Sequence, residues 1–334
     1  MDLLIGSEPT VPNYMRTHRL IDERYLMAQR FAVVNAGSMA KAAAHLKITQ
    51  PSVSKAISDL ESVLGVRLFD RSSHDVALTI YGDALLKCRT AVFDELKQGI
   101  RSIEFLADPS VGEVKIGCPA FVGAVILPAV IQQFIRRHPR VVLHIQNMPA
   151  PVIMDQGLRE RKYDVVLART QIPVPEGNLA DDLNVEFLFD DPFVVAAGLN
   201  TRWARRRKID LAELIDEPWI MQGPDTWNYK LLSKACRAQA LDIPKARLVT
   251  SSEPLRTDLL STGSFITLLA ASWVRLNAHR YALKALPVDL RLRPFPIAIV
   301  TLKNRTLSPV VERFIACARE VAQSFPARPQ RRKS

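Results

Sequence analysis

Small polar residues at helical spacing are the first sign of chemistry in this sequence. In residues 48–69, ITQPSVSKAISDLESVLGVRLF, apolar residues recur every three or four positions, which predicts a helix with one buried face. That face is formed by Val53, Ile57, Leu60 and Leu64. The start of the other face carries Gln50, Ser52, Ser54, Lys55 and Ser58 instead of the usual solvated Glu and Lys. Short side chains let a helix approach the floor of the DNA major groove, where amide, hydroxyl and ammonium groups hydrogen-bond to bases and phosphates.

The residues before this helix complete the pattern of a helix-turn-helix. A helix predicted over residues 25–35 ends before Ser38, which caps a second helix over residues 39–46, MAKAAAHL. The alanines of this second helix let another helix pack closely against it. A turn over residues 47–49 then leads into the polar-faced helix, and Pro51 stands near its start, where a missing N–H does no harm.

A hairpin-like wing is predicted over residues 65–79, and from it Arg71 could reach the DNA backbone or the minor groove. The candidates for DNA contact are therefore Ser38, Gln50, Pro51, Ser52, Ser54, Lys55, Ser58 and Arg71. Taken singly, Ser52 and Ser54 could instead complete helix caps, and Lys55 could be a solvated lysine. Their coincidence on one face, behind a tight turn, favours a recognition helix that enters the major groove by its N-terminal end.

A long helix is predicted from Ile80 to about Ala107, capped by Thr79. Its single apolar seam consists of Leu85, Cys88, Val92, Leu96, Ile100, Ile103 and Leu106. At about 1.5 Å per residue the helix is roughly 40 Å long, which is more than a small domain needs for itself. The seam therefore favours pairing with the same helix of a second subunit. The alternative is that the helix packs only on its own helix-turn-helix.

The chain changes character after residues 107–113, which resemble a hinge. Seven short runs beyond it are typical of strands: 114–117, 141–145, 164–168, 193–197, 247–251, 265–269 and 297–302. Helical patterns lie between most of them, which predicts α/β units with mostly parallel strands. A last helix is predicted to begin after Ser308, which is followed by proline.

Charge and cysteine usage limit the classes of protein. The net charge is +11, but residues 1–107 hold 13 basic and 12 acidic residues, so the predicted DNA-binding region is not a basic clamp. The four cysteines show no metal-binding spacing, which favours free thiols in a reducing cytoplasm and neither a metal site nor a cofactor. The longest apolar run, residues 121–131, is too short to span a bilayer, and the N-terminus carries no export signal, so we expect no membrane association.

The sequence from residue 37 to residue 86 resembles the N-terminal domain of LysR-type transcriptional regulators. The matching positions are Gly37-Ser38, Ala42-Ala43, Leu46, Gln50-Pro51, Ser54, Ile57, Leu60-Glu61, Leu64-Gly65, Leu68-Phe69, Arg71, Leu78-Thr79 and Gly82. A looser similarity extends the match to about residues 24–324. The resemblance implies an α/β protein: an N-terminal winged helix-turn-helix with a long linker helix, then a two-lobed effector domain like that of periplasmic binding proteins.

This resemblance implies a division of the chain into six segments. They are an N-terminal extension (1–21), a winged helix-turn-helix domain (22–79), a linker and dimerisation helix (80–107), a hinge (108–113), a two-lobed effector domain (114–325) and a basic tail (326–334). Lys55 stands where the family commonly has arginine, which removes a bidentate donor.

In this family a small effector binds between the lobes, often against the N-terminus of the helix after the first strand, where free N–H groups suit an anion. The candidates for effector contact are Cys118, Ala120, Phe121, Asn147, Met148, Arg169, Thr170, Met221, Gln222 and Phe265. The segment around Phe121 lacks hydroxyl donors, which favours a hydrophobic or aromatic effector over a small dicarboxylate. Arg169 could pair with an acid group or be an ordinary surface arginine. Cys118 at the helix N-terminus could alternatively be a redox switch.

The expected function is that of a cytoplasmic regulator which binds a partly palindromic promoter site in double-stranded DNA and responds to a small molecule. The expected assembly is a homodimer or a tetramer, with RNA polymerase as a further partner. An α/β enzyme is the first alternative, but the chain contains no GxSxG, P-loop, HExxH or spaced GxGxxG motif. A ligand-independent DNA-binding protein is the second alternative, for which residues 108–334 would be surplus.

Overall fold

The computed structural model of the chain describes residues 38–71, 76–147, 157–169, 182–293 and 295–325. The chain forms two compact units, Met1–Leu96 and Lys97–Ser334. The expected N-terminal extension, the helix over residues 25–35 and the basic tail lie outside the described residues.

The first unit contains the predicted helix-turn-helix and wing. Its elements are α1 (Met39–Leu46), α2 (Gln50–Leu64), β1 (Phe69–Arg71), β2 (Val76–Leu78) and the beginning of α3 (Ile80–Ala107). β1 and β2 pair antiparallel, which confirms the hairpin-like wing. The predicted bounds of α1 and α3 are also confirmed, because capping residues mark the start of each helix. Ser38 accepts a hydrogen bond from the Lys41 N–H at 3.2 Å, and Thr79 accepts one from the Gly82 N–H at 3.2 Å.

A small core holds this unit together. Its buried residues are Ala42, Ala43, Val53, Ile57, Leu68 and Phe69. The expectation that Leu64 also faces the core was wrong, because its side chain is 46% exposed. The backbone turns away at Gly65, which ends α2 with φ +69°, and the wing then returns Leu68 and Phe69 into the core.

The second unit consists of two lobes, each built on a five-stranded sheet. Lobe 1 has the strand order β4-β3-β5-β12-β6, and lobe 2 has the order β11-β7-β10-β8-β9. The strands are β3 (Val111–Cys118), β4 (Arg140–Asn147), β5 (Val165–Arg169), β6 (Leu183–Asp191), β7 (Phe193–Gly198), β8 (Trp219–Met221), β9 (Ala246–Val249), β10 (Ile266–Ala270), β11 (Leu283–Ala285) and β12 (Phe295–Leu302). The helices are α4 (Ala120–Arg137), α5 (Trp227–Arg237), α6 (Glu253–Ser261), α7 (Ala271–Asn277) and α8 (Pro309–Ala322).

The expectation of mostly parallel strands is confirmed, since four of the five strands in each sheet run in the same direction and one strand in each runs against them. β3 pairs parallel with β4 and β5, and β8 pairs parallel with β9 and β10. β12 runs antiparallel to β5 and β6, and β7 runs antiparallel to β10 and β11. The reason is the path of the chain between the lobes. β7 carries it into lobe 2 and β12 carries it back into lobe 1, so both strands begin at the crossover, where the parallel strands end.

Helices α4 and α8 form the core of lobe 1 with its sheet. Phe134 of α4 and Phe314 of α8 are fully buried, and their ring centroids lie 5.5 Å apart. α4 is long and apolar enough to cross a membrane by length and composition alone, but seven of its residues are buried, including Ile126 and Val130, which belong to the core cluster of this lobe. Its apolar character is thus accounted for by packing within a lobe.

The connection between α3 and β3 is shorter than the predicted hinge. α3 continues to Ala107 and β3 begins at Val111, which leaves one tight turn. The Asp108 carboxylate accepts hydrogen bonds from the Ser110 N–H at 3.0 Å and from the Ser110 hydroxyl at 2.5 Å, and it pairs with Arg140 at 3.0 Å. These bonds hold the turn in one conformation.

Candidate nucleic-acid interface and effector cleft

The N-terminus of α2 is fixed by the turn that precedes it. Lys47 ends α1 in the left-handed conformation, and its N–H reaches back to the last carbonyls of that helix. Thr49 then caps α2 by accepting a hydrogen bond from the Ser52 N–H at 3.4 Å. Pro51 lies in the first turn, where no intrahelical donor is needed. The turn therefore sets both the start and the direction of α2.

The polar face at the start of α2 is open to solvent. Gln50, Pro51, Ser52, Lys55 and Ser58 are exposed, and Ser54 is half-buried. The Ser52 hydroxyl shares a 2.8 Å hydrogen bond with the Thr49 hydroxyl, so part of its capacity is used within the cap. Ser38 is the cap of α1, and nothing is described of the Arg71 side chain. The structure thus leaves the side chains of Gln50, Lys55 and Ser58 exposed within the first three turns of α2.

Glu61 and Gly82 set the position of the wing. These roles were not predicted from the sequence. The Glu61 carboxylate accepts hydrogen bonds from the N–H groups of Leu68 and Phe69 at 2.7 and 3.2 Å. A Cβ atom on Gly82 would lie 2.2 Å from the Leu68 carbonyl oxygen, so only glycine lets α3 approach the wing this closely. The sequence signal that could have indicated this role is the presence of an acidic residue, Glu61, next to the apolar face of α2.

In lobe 1 the first two parallel strands end side by side. The Cys118 thiol at the end of β3 donates to the Asn147 side-chain oxygen at the end of β4, at 3.4 Å. Burial raises the pKa of Cys118 to about 11. The thiolate is therefore disfavoured at neutral pH, which argues against the alternative of a redox switch at this position.

Arg169, at the end of β5, is occupied by a partner within the chain. Its guanidinium donates to the backbone carbonyl and to the carboxylate of Asp191, each at 2.6 Å, and lies 4.6 Å from the ring centroid of Phe193. The same buried carboxylate accepts bonds from the backbone N–H and hydroxyl of Ser272 at 3.0 and 2.6 Å. The expectation that Arg169 either pairs with an effector or lies at the surface is replaced by an internal ion pair where the chain crosses between the lobes.

Phe121, the second residue of α4, packs against side chains of lobe 2. Its ring meets the Trp273 ring edge-on, with centroids 5.3 Å apart. The Arg256 guanidinium carbon lies 5.2 Å from the Phe121 centroid. Arg256 was not among the residues predicted from the sequence, because its position here depends on how the two lobes pack.

The remaining effector candidates are spread more widely. Ala120 and Asn147 are exposed, Met221 is buried at the end of β8, and Gln222 is half-buried. Phe265 precedes β10, so it lies at the opposite end of that strand from the edge where Met221 stands. Met148 and Thr170 lie outside the described residues. The structure therefore groups Cys118, Phe121 and Asn147 near the start of α4, but not Phe265 with Met221.

Among the residues that the structure describes, no group of three or more His, Cys, Asp and Glu side chains is placed to hold a metal ion.

Two family models match the chain. The LysR substrate binding domain matches residues 107–323, and the bacterial regulatory helix-turn-helix protein of the lysR family matches residues 31–83. The first of these covers more than half of the chain.

Two bacterial transcriptional regulators are among the proteins with similar sequences. The uncharacterized HTH-type transcriptional regulator YdcI of Escherichia coli K12 is 26% identical over 277 residues, which cover 83% of this chain and 88% of that protein. The transcriptional dual regulator GltC of Bacillus subtilis is 28% identical over 269 residues, 79% of this chain and 85% of that protein.

Solved structures show the same fold. A full-length cysteine variant of OxyR from Pseudomonas aeruginosa superposes with a TM-score of 0.60 at 22% identity, covering 93% of this chain and 99% of that chain. Full-length CbnR complexed with its target DNA has a TM-score of 0.51 at 19% identity, covering 90% of this chain and all of that chain.

Proposed function

Because the chain belongs to the LysR family of transcriptional regulators, we propose that it binds a partly palindromic promoter site in double-stranded DNA as a homodimer or tetramer. It is a regulator with a DNA-binding helix-turn-helix and an effector-binding domain, not an enzyme. The proposal adds the mode of DNA reading, the assembly and the site of the effector. It also places the protein in the cytoplasm, where the promoter and RNA polymerase, its further partner, are found.

The exposed start of α2 is the observation that supports DNA reading by this helix. Gln50 can pair bidentately with adenine, and Ser58 can donate to or accept from several bases. Lys55 supplies a charged donor to phosphate or guanine. Arg71 and Ser38 are proposed as contacts to the backbone on either side. Because residues 1–107 carry a net charge of only +1, we propose that base contacts and oligomerisation contribute much of the selectivity.

Replacement of Gln50 tests this reading. We expect Gln50→Ala to weaken binding to a promoter fragment selected by the wild-type protein by about 10- to 100-fold, because a bidentate base contact is lost. Binding to random DNA should be largely kept. Lys55→Ala should instead reduce the slope of log affinity against log salt by about one. Fluorescence anisotropy with both DNAs at several salt concentrations measures all three quantities.

Ser62→Ala is the matched control, since Ser62 is also exposed on α2 but lies beyond the polar start of the helix. It should bind both DNAs as the wild type does. An equal loss of affinity for selected and random DNA in Gln50→Ala would contradict the base-reading role.

The apolar seam of α3 supports the proposed oligomer. Val92, Leu96, Ile103 and Leu106 are exposed, with side chains between 48% and 78% accessible. An exposed apolar row on a 28-residue helix is typical of a helix that pairs with another. We propose that the paired helices transmit the effector signal by changing the spacing or angle of the two DNA-binding domains.

For the effector, the proposed site is the cleft between the two lobes, next to the start of α4. The segment Cys118 to Phe121 offers a thiol, a methyl group and a phenyl ring, and Pro119 caps α4 without a side-chain hydrogen bond. This supports an aromatic or hydrophobic acid as ligand, with Asn147, Met221 and Gln222 as further contacts. Arg169 is left out of the proposed contacts because Asp191 occupies it.

A further inference from the structure

Arg256 on α6 carries a buried positive charge that has no bonded partner among the described residues. The residue is 1% exposed, and its Nε and Nη2 atoms have neither solvent contact nor a hydrogen-bond partner. Among the described residues no ion pair joins it to a carboxylate, although Glu253, one turn earlier on α6, attracts it electrostatically. A buried, unpaired guanidinium costs stability, so its presence calls for a role that offsets this cost.

The Phe121 ring lies against Arg256 and links it to the Trp273 ring. The Phe121 ring covers the guanidinium at 5.2 Å, and the Trp273 ring, which meets Phe121 edge-on, has a buried Nε1–H without a partner. Phe121 stands in the first turn of α4, an 18-residue helix whose cap uses no side-chain hydrogen bond, so further N–H donors lie close by. A site that offers donors and two aromatic rings suits a ligand with acceptor oxygens and an apolar body.

The charges nearby restrict the ligand further. The half-buried Arg169, where the chain crosses between the lobes, is neutralised by Asp191, which also accepts two bonds from Ser272. Burial raises the pKa of Glu253 while Arg256 opposes this rise, and among the described residues no ion pair joins the two side chains. One unpaired guanidinium balances one negative charge, and a second charge on the ligand would itself be left unpaired.

We propose that Arg256 is the anion-binding and specificity-determining residue of the effector cleft, and that the effector is a small monocarboxylic acid with a hydrophobic or aromatic body. Because Nε and Nη2 are closed to solvent in this structure, the acid enters by displacing the Phe121 ring from the guanidinium. Its carboxylate then accepts two parallel hydrogen bonds from the guanidinium, and its body packs against Phe121 and Trp273. This inference rests on the proposed function, because it assigns the charge in the same cleft.

Calorimetric titration of the full chain tests the proposal with benzoate, phenylacetate and propionate, each compared with its neutral amide. We expect at least one acid to bind and its amide to bind at least 10-fold more weakly.

Arg256→Met should reduce acid affinity by 10-fold or more. Without ligand, the same variant should raise Tm by roughly 2 to 4 °C, because an unpaired buried charge is removed. A residue retained only for packing or structure would lower Tm.

Arg280→Met is the matched control. Arg280 lies 5.1 Å from the Tyr281 ring centroid, much as Arg256 lies over Phe121, but it is exposed. Its acid affinity and Tm should equal those of the wild type. If Arg256→Met does not fold, Arg256→Gln, which keeps donors but loses the charge, takes its place with the same expected loss.

Three outcomes would overturn the proposal. They are no binding of any of the acids by the wild type, equal binding of an acid and its amide, and unchanged acid affinity in a folded Arg256 variant. None of them affects the Gln50-dependent recognition of DNA, so a failure of this inference is distinguishable from a failure of the proposed function.

Discussion

Two buried aspartates organise the charges of the effector domain. Asp164 accepts bonds from Arg305 at 3.0 Å, Arg101 at 3.3 Å and the Lys115 N–H at 2.9 Å. Asp191 binds Arg169 in the same manner. Because these carboxylates are satisfied by groups of the chain, they serve its architecture, and Arg256 remains the charge that we propose to bind the effector.

Cysteine reactivity provides a prediction at the scale of single residues. Cys88 is exposed, whereas Cys118, Cys236 and Cys317 are buried, and burial raises the pKa of each of these three thiols. With a pKa of about 11, Cys118 is only about 0.1% thiolate at pH 8. Cys88 belongs to the α3 seam, so the protein is first diluted until it is monomeric. Iodoacetamide at pH 8 should then modify one thiol per chain quickly, which intact-mass spectrometry over time would measure.

The control for this labelling is Cys88→Ser, which should remove the fast phase and leave the slow one. Fast modification of Cys118 in the folded protein would contradict the buried, protonated state of its thiol. It would also restore the redox interpretation of this position.

At the scale of elements, α3 is anchored differently along its length. Near its end, Arg101 reaches Asp164, and the Phe105 ring lies 4.5 Å from the Arg313 guanidinium of α8. Together with the bonded turn at Asp108, these contacts fix the last turns of α3 to lobe 1. We therefore expect a displacement of lobe 1 to move this end of α3 with it.

The exposed seam of α3 gives a prediction about assembly. The double substitution Val92→Lys and Leu96→Lys should weaken self-association by two orders of magnitude or more. Each buried aliphatic side chain contributes about 1.5 to 3 kcal/mol, and symmetry doubles the loss in a dimer. Light scattering coupled to size exclusion, over a range of concentrations, would show the smaller species.

Leu64→Lys is the control for this experiment, because Leu64 on α2 is 46% exposed and Leu96 is 48% exposed. The control should leave the assembly unchanged. If Leu64→Lys dissociates the oligomer and the α3 variant does not, the interface lies elsewhere.

The helices that were predicted correctly from the sequence are marked by local features, such as a capping residue, a helical period or a proline in the first turn. α1 begins after a capping serine and α3 after a capping threonine, and α2 shows a clear helical period with proline in its first turn. The strands that were missed, β6, β8 and β11, lack such signals. β6 reads LNVEFLFDD, in which acidic residues interrupt the apolar run, and β8 and β11 have only three residues each. These strands form because they pair with neighbouring strands, and such pairing cannot be read from a local sequence pattern.

The same distinction applies to the candidate sites. The polar face of α2 depends on one helix, so its periodicity was sufficient to find Gln50 and Lys55. Arg256 and Phe121 are far apart in sequence and meet only because α6 and α4 come from different lobes. Likewise, the pairing of Arg169 with Asp191 depends on the crossover between the lobes. Contacts that form only through tertiary packing could therefore not be predicted from local sequence patterns.

At the scale of the whole molecule, effector binding should alter the geometry of the complex with DNA and leave its base contacts unchanged. When the acid identified by calorimetry is added to the complex, DNA bending and the length of the footprint should change, while the bases protected by α2 stay the same. Footprinting and gel-shift bending analysis measure both. Arg256→Met, as a control, should show no response to the acid. Identical bending and footprint with and without acid would contradict signalling through the paired helices.

Lobe 2 is an insertion within lobe 1, and this has a consequence for protein engineering. The chain leaves lobe 1 at Asp191 and returns at Phe295, and these two residues are paired directly across β6 and β12. Their Cα atoms are thus about 5 Å apart, as in any antiparallel pair. A segment whose ends lie this close together can be replaced by another domain without distorting the structure into which it is inserted. Biosensors with new ligand preferences could accordingly be assembled by grafting a foreign lobe between these two positions, with α2 kept to address the same promoter.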